Sequence, residues 1–122
     1  MINLVNRDFV KGKIERVNFN FKQLFETITD PEIDTYNKRE VIQVNEIYST
    51  LEIIELFCFT HENFEVLNDE YVDDAKKFYN IISNMVQDDD KNTSWLDKEY
   101  EDYKKAYEMV IHRLEQPDKE LS

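Results

Sequence analysis

Residues 96–114 read LDKEYEDYKKAYEMVIHRL, and the order of apolar and polar side chains in this stretch indicates a helix. Its large apolar residues recur at alternating spacings of four and three: Leu96, Tyr100, Tyr103, Tyr107, Val110 and Leu114. This heptad pattern is typical of a helix that packs nearly parallel or antiparallel to its neighbours. The seam is short, so antiparallel packing within one bundle is favoured over a two-chain coiled coil.

Three earlier stretches carry the same helical periodicity. Residues 17–28 and residues 72–86 each place apolar side chains on one face. Residues 36–60 are apolar over most of the helix circumference, and such a helix is normally central in a bundle or covered by a partner. We therefore predict a single all-α domain over residues 1–122, a bundle of about four main helices.

Gly, Pro and capping residues suggest where these helices begin and end. Either a short helix or a hairpin turning at Lys11-Gly12 fits residues 1–17. Pro117 ends the last helix, and we expect residues 118–122 to fray. The remaining boundary residues are Asp30 before Pro31, Asn68 or Asp69, and Ser94 with Asp97 as N-caps, and Asp88-Asp89-Asp90 as a helix end.

The composition of the 122 residues narrows the class of protein. One Gly and two Pro argue against an all-β sandwich or barrel, whose tight turns consume both residues. One Cys excludes a disulfide scaffold and a Cys-based zinc module. No apolar run approaches the roughly 18 residues of a transmembrane helix, and the start does not resemble a signal peptide. We expect a cytoplasmic protein.

The net charge of −12 is concentrated in one stretch. Residues 40–75 hold ten acidic side chains and no Lys or Arg. A helix without cations forgoes Glu–Lys pairs and accepts self-repulsion, so either the acidity serves solubility or the surface faces something cationic. A negative field of this kind repels nucleic acid and membranes, so we expect no direct binding to either.

The sequence contains no complete catalytic or ligand motif. A single Gly rules out a glycine-rich phosphate loop. Cys58 lies on an apolar stripe and is expected to be a buried thiol, whereas His61 falls in a helix break and His112 on the surface. We expect no enzymatic activity, no cofactor and no bound metal.

Residues 88–99 resemble an EF-hand calcium loop in part. Asp88, Asp90, Asn92 and Glu99 occupy the first, third, fifth and twelfth positions of a twelve-residue loop. Thr93 occupies the sixth position, where the calcium loop needs Gly for a sharp turn. We therefore interpret this stretch as a solvated acidic loop between two helices.

A binding protein is the function class that these features favour. A compact acidic bundle can offer carboxylates in place of phosphates and so inhibit a basic, nucleic-acid-binding protein. Aromatic residues are common at interface hot spots, so Tyr36, Tyr71 and Trp95 are candidate anchors. The predicted partner-binding residues are Glu52, Glu55, Glu62, Glu65, Asp69, Glu70, Asp73, Asp74, Tyr71 and Trp95.

The setting of this function is suggested by composition alone. The chain is rich in Asn, Lys, Ile, Glu and Tyr and has one Gly. In general character it is similar to small proteins of phages and mobile elements, including anti-CRISPR inhibitors and DNA mimics, although no motif carries this similarity. There are two alternatives: an immunity protein or antitoxin against a basic toxin, and a structural helical-bundle scaffold. The protein is expected to be a monomer or a homodimer.

Overall fold

A computed structural model of the chain describes residues 4–90 and 92–116, and all regular structure in that part is helical. It contains four α-helices: α1, Leu4–Thr29; α2, Lys38–Thr60; α3, Asp73–Gln87; and α4, Leu96–Leu114. A short 3-10 helix, Glu62–Phe64, and one π-helical turn, Asn68–Val72, connect α2 to α3. The prediction of an all-α bundle of four main helices is confirmed.

Successive helices run antiparallel, and α4 packs back against α1 to close the bundle. Phe9 near the start of α1 contacts Phe57 near the end of α2, with ring centroids 5.0 Å apart. Lys11 of α1 pairs with Glu115, just after α4 ends. We call the end of the bundle that holds the starts of α1 and α3 and the ends of α2 and α4 the first end, and the opposite one the second end.

Helix α1 runs without interruption through Gly12, so the hairpin alternative for residues 1–17 is wrong. The physical reason is a long buried stripe at helical spacing: Val10, Ile14, Val17, Phe21, Leu24 and Ile28 are all fully buried. Burying such side chains stabilises by roughly 1.5–3 kcal/mol each, which outweighs the cost of about 1 kcal/mol for one helical Gly. Residues 1–3 lie outside the described part of the chain.

Helix α2 begins close to the predicted start of residues 36–60, but the predicted N-cap at Asp30 is wrong. Asp30 and Pro31 lie in a turn, where the Asp30 carboxylate accepts a hydrogen bond from the Glu32 backbone N–H. Asn37 caps α2 instead: its side chain accepts from the Arg39 N–H while the Glu40 carboxylate accepts from the Asn37 N–H. This reciprocal capping box satisfies two helix-end donors, whereas the Asp30 carboxylate bonds within a turn that no helix follows directly.

The predicted side-chain caps of the last two helices are also wrong. Asn68 and Asp69 lie inside the π-helical turn, which leads directly into α3 with no side-chain cap. The Ser94 hydroxyl donates to the Asn92 side chain, and Trp95 occupies the cap position of α4. The end of α3 is where the acidic run predicts it, since the helix stops at Gln87. Residues 117–122, including the expected frayed tail, lie outside the described part.

Aromatic rings from three helices meet at the centre of the core. Phe21 of α1 packs edge-on against Phe78 of α3 and Tyr103 of α4, with centroids 4.9 and 4.7 Å away. The rings of Phe78 and Tyr103 stack at 5.5 Å. The predicted α4 seam is confirmed as a core face, because Leu96, Tyr103, Val110 and Leu114 are buried and Tyr100 and Tyr107 are partly buried.

Cys58 and His61 behave as structural residues. The Cys58 side chain is fully buried, and burial raises the pKa of its thiol to about 12. The His61 ring stacks on Phe57 at 3.9 Å, and its Nδ1 lies 2.8 Å from the Phe57 carbonyl oxygen. A thiol that stays protonated is a poor nucleophile, which agrees with the interpretation of Cys58 as a core residue. None of the described helices has the length and apolar character that crossing a membrane requires.

Replacing Gly12 by Ala should stabilise the protein by about 1 kcal/mol, because Ala is the better helix former. Gly12 has no positive φ, and no atom lies within 4 Å of the position that an alanine Cβ would occupy. Urea unfolding measures the change. A loss of stability in Gly12→Ala would contradict a continuous α1.

Replacing Tyr71 by Phe should destabilise the fold by about 1–3 kcal/mol, since it leaves a buried hydroxyl without a partner. The hydroxyls of Tyr71 and Tyr103 are 3.0 Å apart, and both residues are buried. The double variant Tyr71→Phe/Tyr103→Phe should lose less than the sum of the two single changes. Additive losses in this double-mutant cycle would show that the hydroxyls do not interact.

The same two tyrosines should make the fold sensitive to alkali. Burial raises the pKa of Tyr71 and of Tyr103 above the value of about 10 for an exposed phenol. Above pH 10 the unfolded chain therefore loses these protons while the folded chain keeps them, so ionisation favours unfolding. The unfolding free energy should fall as pH rises beyond 10, and the double Phe variant should show a shallower fall.

Candidate protein-binding surface

Tertiary packing neutralises part of the acidic stretch, residues 40–75. Arg16 of α1 forms an ion pair with Glu46 of α2. Arg113 of α4 donates two hydrogen bonds to Glu70, at 2.8 Å from Nε to Oε2 and 2.6 Å from Nη2 to Oε1. This paired geometry is the strongest that a guanidinium makes with a carboxylate. The cations missing from the local sequence are thus supplied by helices distant in the chain.

Three more acids of the same stretch are engaged. Lys76 of α3 places its Nζ 2.8 Å from Glu55 and 3.5 Å from Glu52, both on α2, and the hydrogen bond to Glu55 raises the pKa of Lys76. Glu40 is 5% exposed and serves the capping box with Asn37. The expectation of a stretch without compensating cations is therefore wrong for these acids, because sequence-local counting cannot see contacts between helices.

Four exposed carboxylates remain along one line, which we call the acidic ridge: Glu62, Glu65, Asp69 and Asp73. Their spacings of three, four and four residues place them on one side of the helical path from the 3-10 turn into α3. Among residues 4–90 and 92–116, no Lys, Arg or His lies within ion-pair distance of any of them. The ridge is therefore a strip of unscreened negative charge at the first end of the bundle.

The π-helical turn decides which residues of this segment face outwards. In this turn the Asp73 N–H donates to the Asn68 carbonyl, five residues back, so one turn holds an extra residue. Tyr71 and Val72 both enter the core as a result, and both are fully buried. The prediction that Tyr71 anchors a partner is wrong, since its ring and hydroxyl contact Tyr103 inside the core.

Trp95 and Tyr36 are not brought to the acidic ridge. Trp95 is 42% exposed but precedes α4 at the second end, roughly 22 Å away along α3 at 1.5 Å per residue. Tyr36 lies at the same end, where its hydroxyl donates to the Asp90 carbonyl and its N–H to the Asp89 carboxylate, each at 2.9 Å. Burial and the neighbouring carboxylates raise the pKa of Tyr36 to about 12. Its role is to join two loops.

An apolar groove on α2 lies beside the ridge. It is lined by Glu52, Ile53, Glu55, Leu56 and Phe59, and we call it the α2 groove. Leu56 and Phe59 are 66% and 64% exposed, which is unusual for such large apolar side chains. Two connections place the groove next to the ridge. Phe59 of the groove precedes Glu62 of the ridge by three residues, and Lys76, which pairs with Glu52 of the groove, lies one turn after Asp73 of the ridge.

Other exposed apolar residues extend this face along α2. They are Val41, Ile42 and Tyr48, each about half exposed. The sequence signal for the face was the apolar circumference of residues 36–60, which indicated either a central helix or a covered one. The structure shows that α2 packs on α1 and α3 and that part of its apolar surface has no cover within the described chain.

Asp74 belongs to a different feature from the ridge. It lines a small cleft between α3 and α4 together with Lys77, Glu99 and Asp102. Of the ten predicted partner-binding residues, the structure thus brings together the four of the ridge with Glu52 and Glu55 of the groove. Glu70 is held by Arg113, and Asp74, Tyr71 and Trp95 lie elsewhere.

The calcium-like loop is shaped by its own hydrogen bonds. The Asp90 carboxylate accepts from the Asn92 N–H at 2.9 Å, and the Asn92 side chain accepts from the Ser94 hydroxyl at 3.1 Å. Helix α4 begins at Leu96, which fixes Glu99 inside the helix. In the described part of the chain, no three His, Cys, Asp or Glu side chains are grouped so that they could hold a metal ion.

Comparison with known proteins adds no relative to this picture. No protein-family model, no curated protein and no solved structure matches the chain.

Proposed function

We propose that this chain is a non-enzymatic inhibitor that covers a basic, nucleic-acid-binding surface of another protein. The observation that carries the proposal is the separation of charge within residues 40–75. Half of the ten acids there are paired with cations or used in a cap, whereas the acidic ridge is exposed and unpaired among the described residues. Carboxylates placed in a row attract the Lys and Arg side chains that otherwise hold phosphates.

The α2 groove supplies the second part of the proposed interface. Rim charges act mainly on the rate of association, whereas buried apolar anchors carry most of the binding energy. Leu56 and Phe59 stand beside the ridge and can serve as such anchors. The partner that fits is a protein with a cluster of Lys and Arg beside an apolar projection.

The biological setting remains part of the proposal. Targets of this chemistry include nucleases, repressors, polymerases and CRISPR effectors, and the proposed source is a phage or mobile element acting in the bacterial cytoplasm. An immunity protein or antitoxin that blocks a basic toxin would use the same surface.

A homodimeric scaffold is a second candidate, favoured by the exposed apolar residues of α2. In a two-fold dimer, however, the same patch meets itself, so the unpaired carboxylates beside it, Glu62 and Glu65, would be brought close to those of the other copy. Like charges across an interface are unfavourable, which argues for a partner of opposite charge. Light scattering coupled to gel filtration separates the two candidates, since a stable dimer at micromolar concentration would favour the scaffold.

Reversing the ridge charges should abolish partner binding and spare the fold. The variant is Glu62→Lys, Glu65→Lys, Asp69→Lys and Asp73→Lys. The unaltered protein, used as bait in a bacterial lysate, should capture nucleic-acid-binding proteins, and duplex DNA should displace them. Salt at 1 M should release them, because the Debye length falls from about 10 Å at 0.1 M to about 3 Å. For an identified partner, the ridge variant should associate at least about tenfold more slowly at low salt. Circular dichroism and urea unfolding should be nearly unchanged, since exposed substitutions usually contribute within about 0.5 kcal/mol each.

A matched control separates the ridge from net charge. Reversing four exposed acids on other parts of the surface, Glu26, Glu32, Asp34 and Glu108, alters the net charge by the same amount. This control should bind almost normally, whereas Leu56→Ala with Phe59→Ala should speed dissociation. Equal loss of binding in the ridge variant and the control would refute a specific acidic surface.

A further inference from the structure

Arg7 is a buried cation without a counterion in the described structure. It lies on the core side of α1, one turn before Val10, and is only 3% exposed. Its Nε, Nη1 and Nη2 atoms are all buried, and none has a hydrogen-bond partner among the described residues. A guanidinium stays protonated at any pH that a protein tolerates, so the charge cannot be relieved by losing a proton. An unpaired buried charge is strongly unfavourable, and a bound anion would remove this penalty.

The carboxylates near the first end either pair with other cations or lie on the exposed surface. Glu115 pairs with Lys11 at 3.4 Å, and Glu70 is held by Arg113. Asp8 is adjacent to Arg7 in the chain but exposed on the outer side of α1. The four carboxylates of the acidic ridge are exposed, and no acidic side chain of the described residues lies within ion-pair distance of Arg7.

Asn68 is a second buried polar group without partners at the same end. It is 9% exposed, and both its Nδ2 and its Oδ1 lack a hydrogen-bond partner among the described residues. It opens the π-helical turn, a distortion that is frequent at functional sites.

The register of the helices places Asn68 close to the level of Arg7. Phe21 of α1 packs on Phe78 of α3, and these two helices run parallel. Counting back ten residues from Phe21 reaches Lys11, and counting back ten from Phe78 reaches Asn68. Lys11 and Asn68 therefore lie at about the same level of the bundle. Arg7 is one turn further out, which is about 6 Å along the axis. Two unsatisfied buried groups thus lie in neighbouring layers of the bundle.

We propose that Arg7 and Asn68 form a binding site for a small oxyanion of the carboxylate or phosphate type. The guanidinium fork matches two oxygens of such an anion, and the Asn68 Nδ2 supplies a further donor. The Asn68 Oδ1 needs a donor, which a hydroxyl on the same ligand provides, as in monoprotonated phosphate. This site is independent of the acidic ridge and does not rest on the proposed inhibitory function.

Thermal unfolding of the full chain tests the site with inorganic phosphate and, separately, acetate, each titrated against sodium chloride at constant ionic strength. The melting temperature should rise with one or both anions, by about 10 °C at one hundred times the dissociation constant. Arg7→Met should melt higher than the unaltered protein without anion, because the unpaired charge is gone, and should not respond to phosphate or acetate. The exposed Arg39→Met is the matched control and should respond normally. No response to either anion in the unaltered protein, or a lower melting temperature of Arg7→Met without anion, would overturn the proposal.

Asn68→Asp tests whether the two residues share one site. A carboxylate at this position would pair with Arg7, so the variant should melt higher than the unaltered protein and lose its response to added anion. If the two side chains are apart, the same change buries a second unpaired charge and lowers the melting temperature. That result would refute the shared site.

A further variant asks whether the anion comes from the chain itself. Asp118→Asn with Glu120→Gln removes the acidic side chains beyond Gln116. The response to phosphate should be unchanged in this variant if the ligand is a free anion. The proposal is overturned if this variant melts lower than the unaltered protein and adding Arg7→Met to it lowers the melting temperature no further. That result would identify these acids as the partners of Arg7.

Discussion

The contact among Phe21, Phe78 and Tyr103 fixes the relative height of three helices. Rings from α1, α3 and α4 meet within about 5.5 Å of one another, edge to face or stacked, in a fully buried layer. Sliding any one helix by a turn would break two of these three contacts at once, because each ring touches both of the others and aromatic packing is directional as well as apolar. The positions of the ion pairs and of the exposed surface follow from this register.

That register also divides the acids of residues 40–75 into two groups. With α3 and α4 held at this height, Arg113 reaches Glu70 and Lys76 reaches Glu55. The acidic ridge lies on the solvent side of the same segment, where no described helix offers a cation. A tract that is uniformly negative in sequence therefore becomes a neutralised part and an unpaired part, and only the latter can attract a cationic partner at full strength.

The π-helical turn connects the core to this surface. It lets Tyr71 and Val72 enter the core together, which completes the hydroxyl contact with Tyr103. The same turn leaves Asn68 buried without a hydrogen-bond partner in the described chain. Arg7 shows the same conflict on α1: it sits at a core position, where helical periodicity would place an apolar side chain. At the first end of the bundle, two polar side chains thus occupy positions that helical periodicity gives to the core. Proteins usually break such local rules at functional or strained sites.

Sequence periodicity alone determined the helical class, the α4 seam, the burial of Cys58 and the acidic tract, because these depend on spacing and composition along one segment. It failed at the helix starts, where Asn37, rather than Asp30, forms the cap, since several residues compete locally for each end. It also placed Tyr71 on the surface, because periodicity along one segment does not reveal the π-helical turn that brings Tyr71 and Val72 into the core together. Which acids remain unpaired and which polar groups are buried was decided only by tertiary structure, because both depend on contacts between residues far apart in the chain.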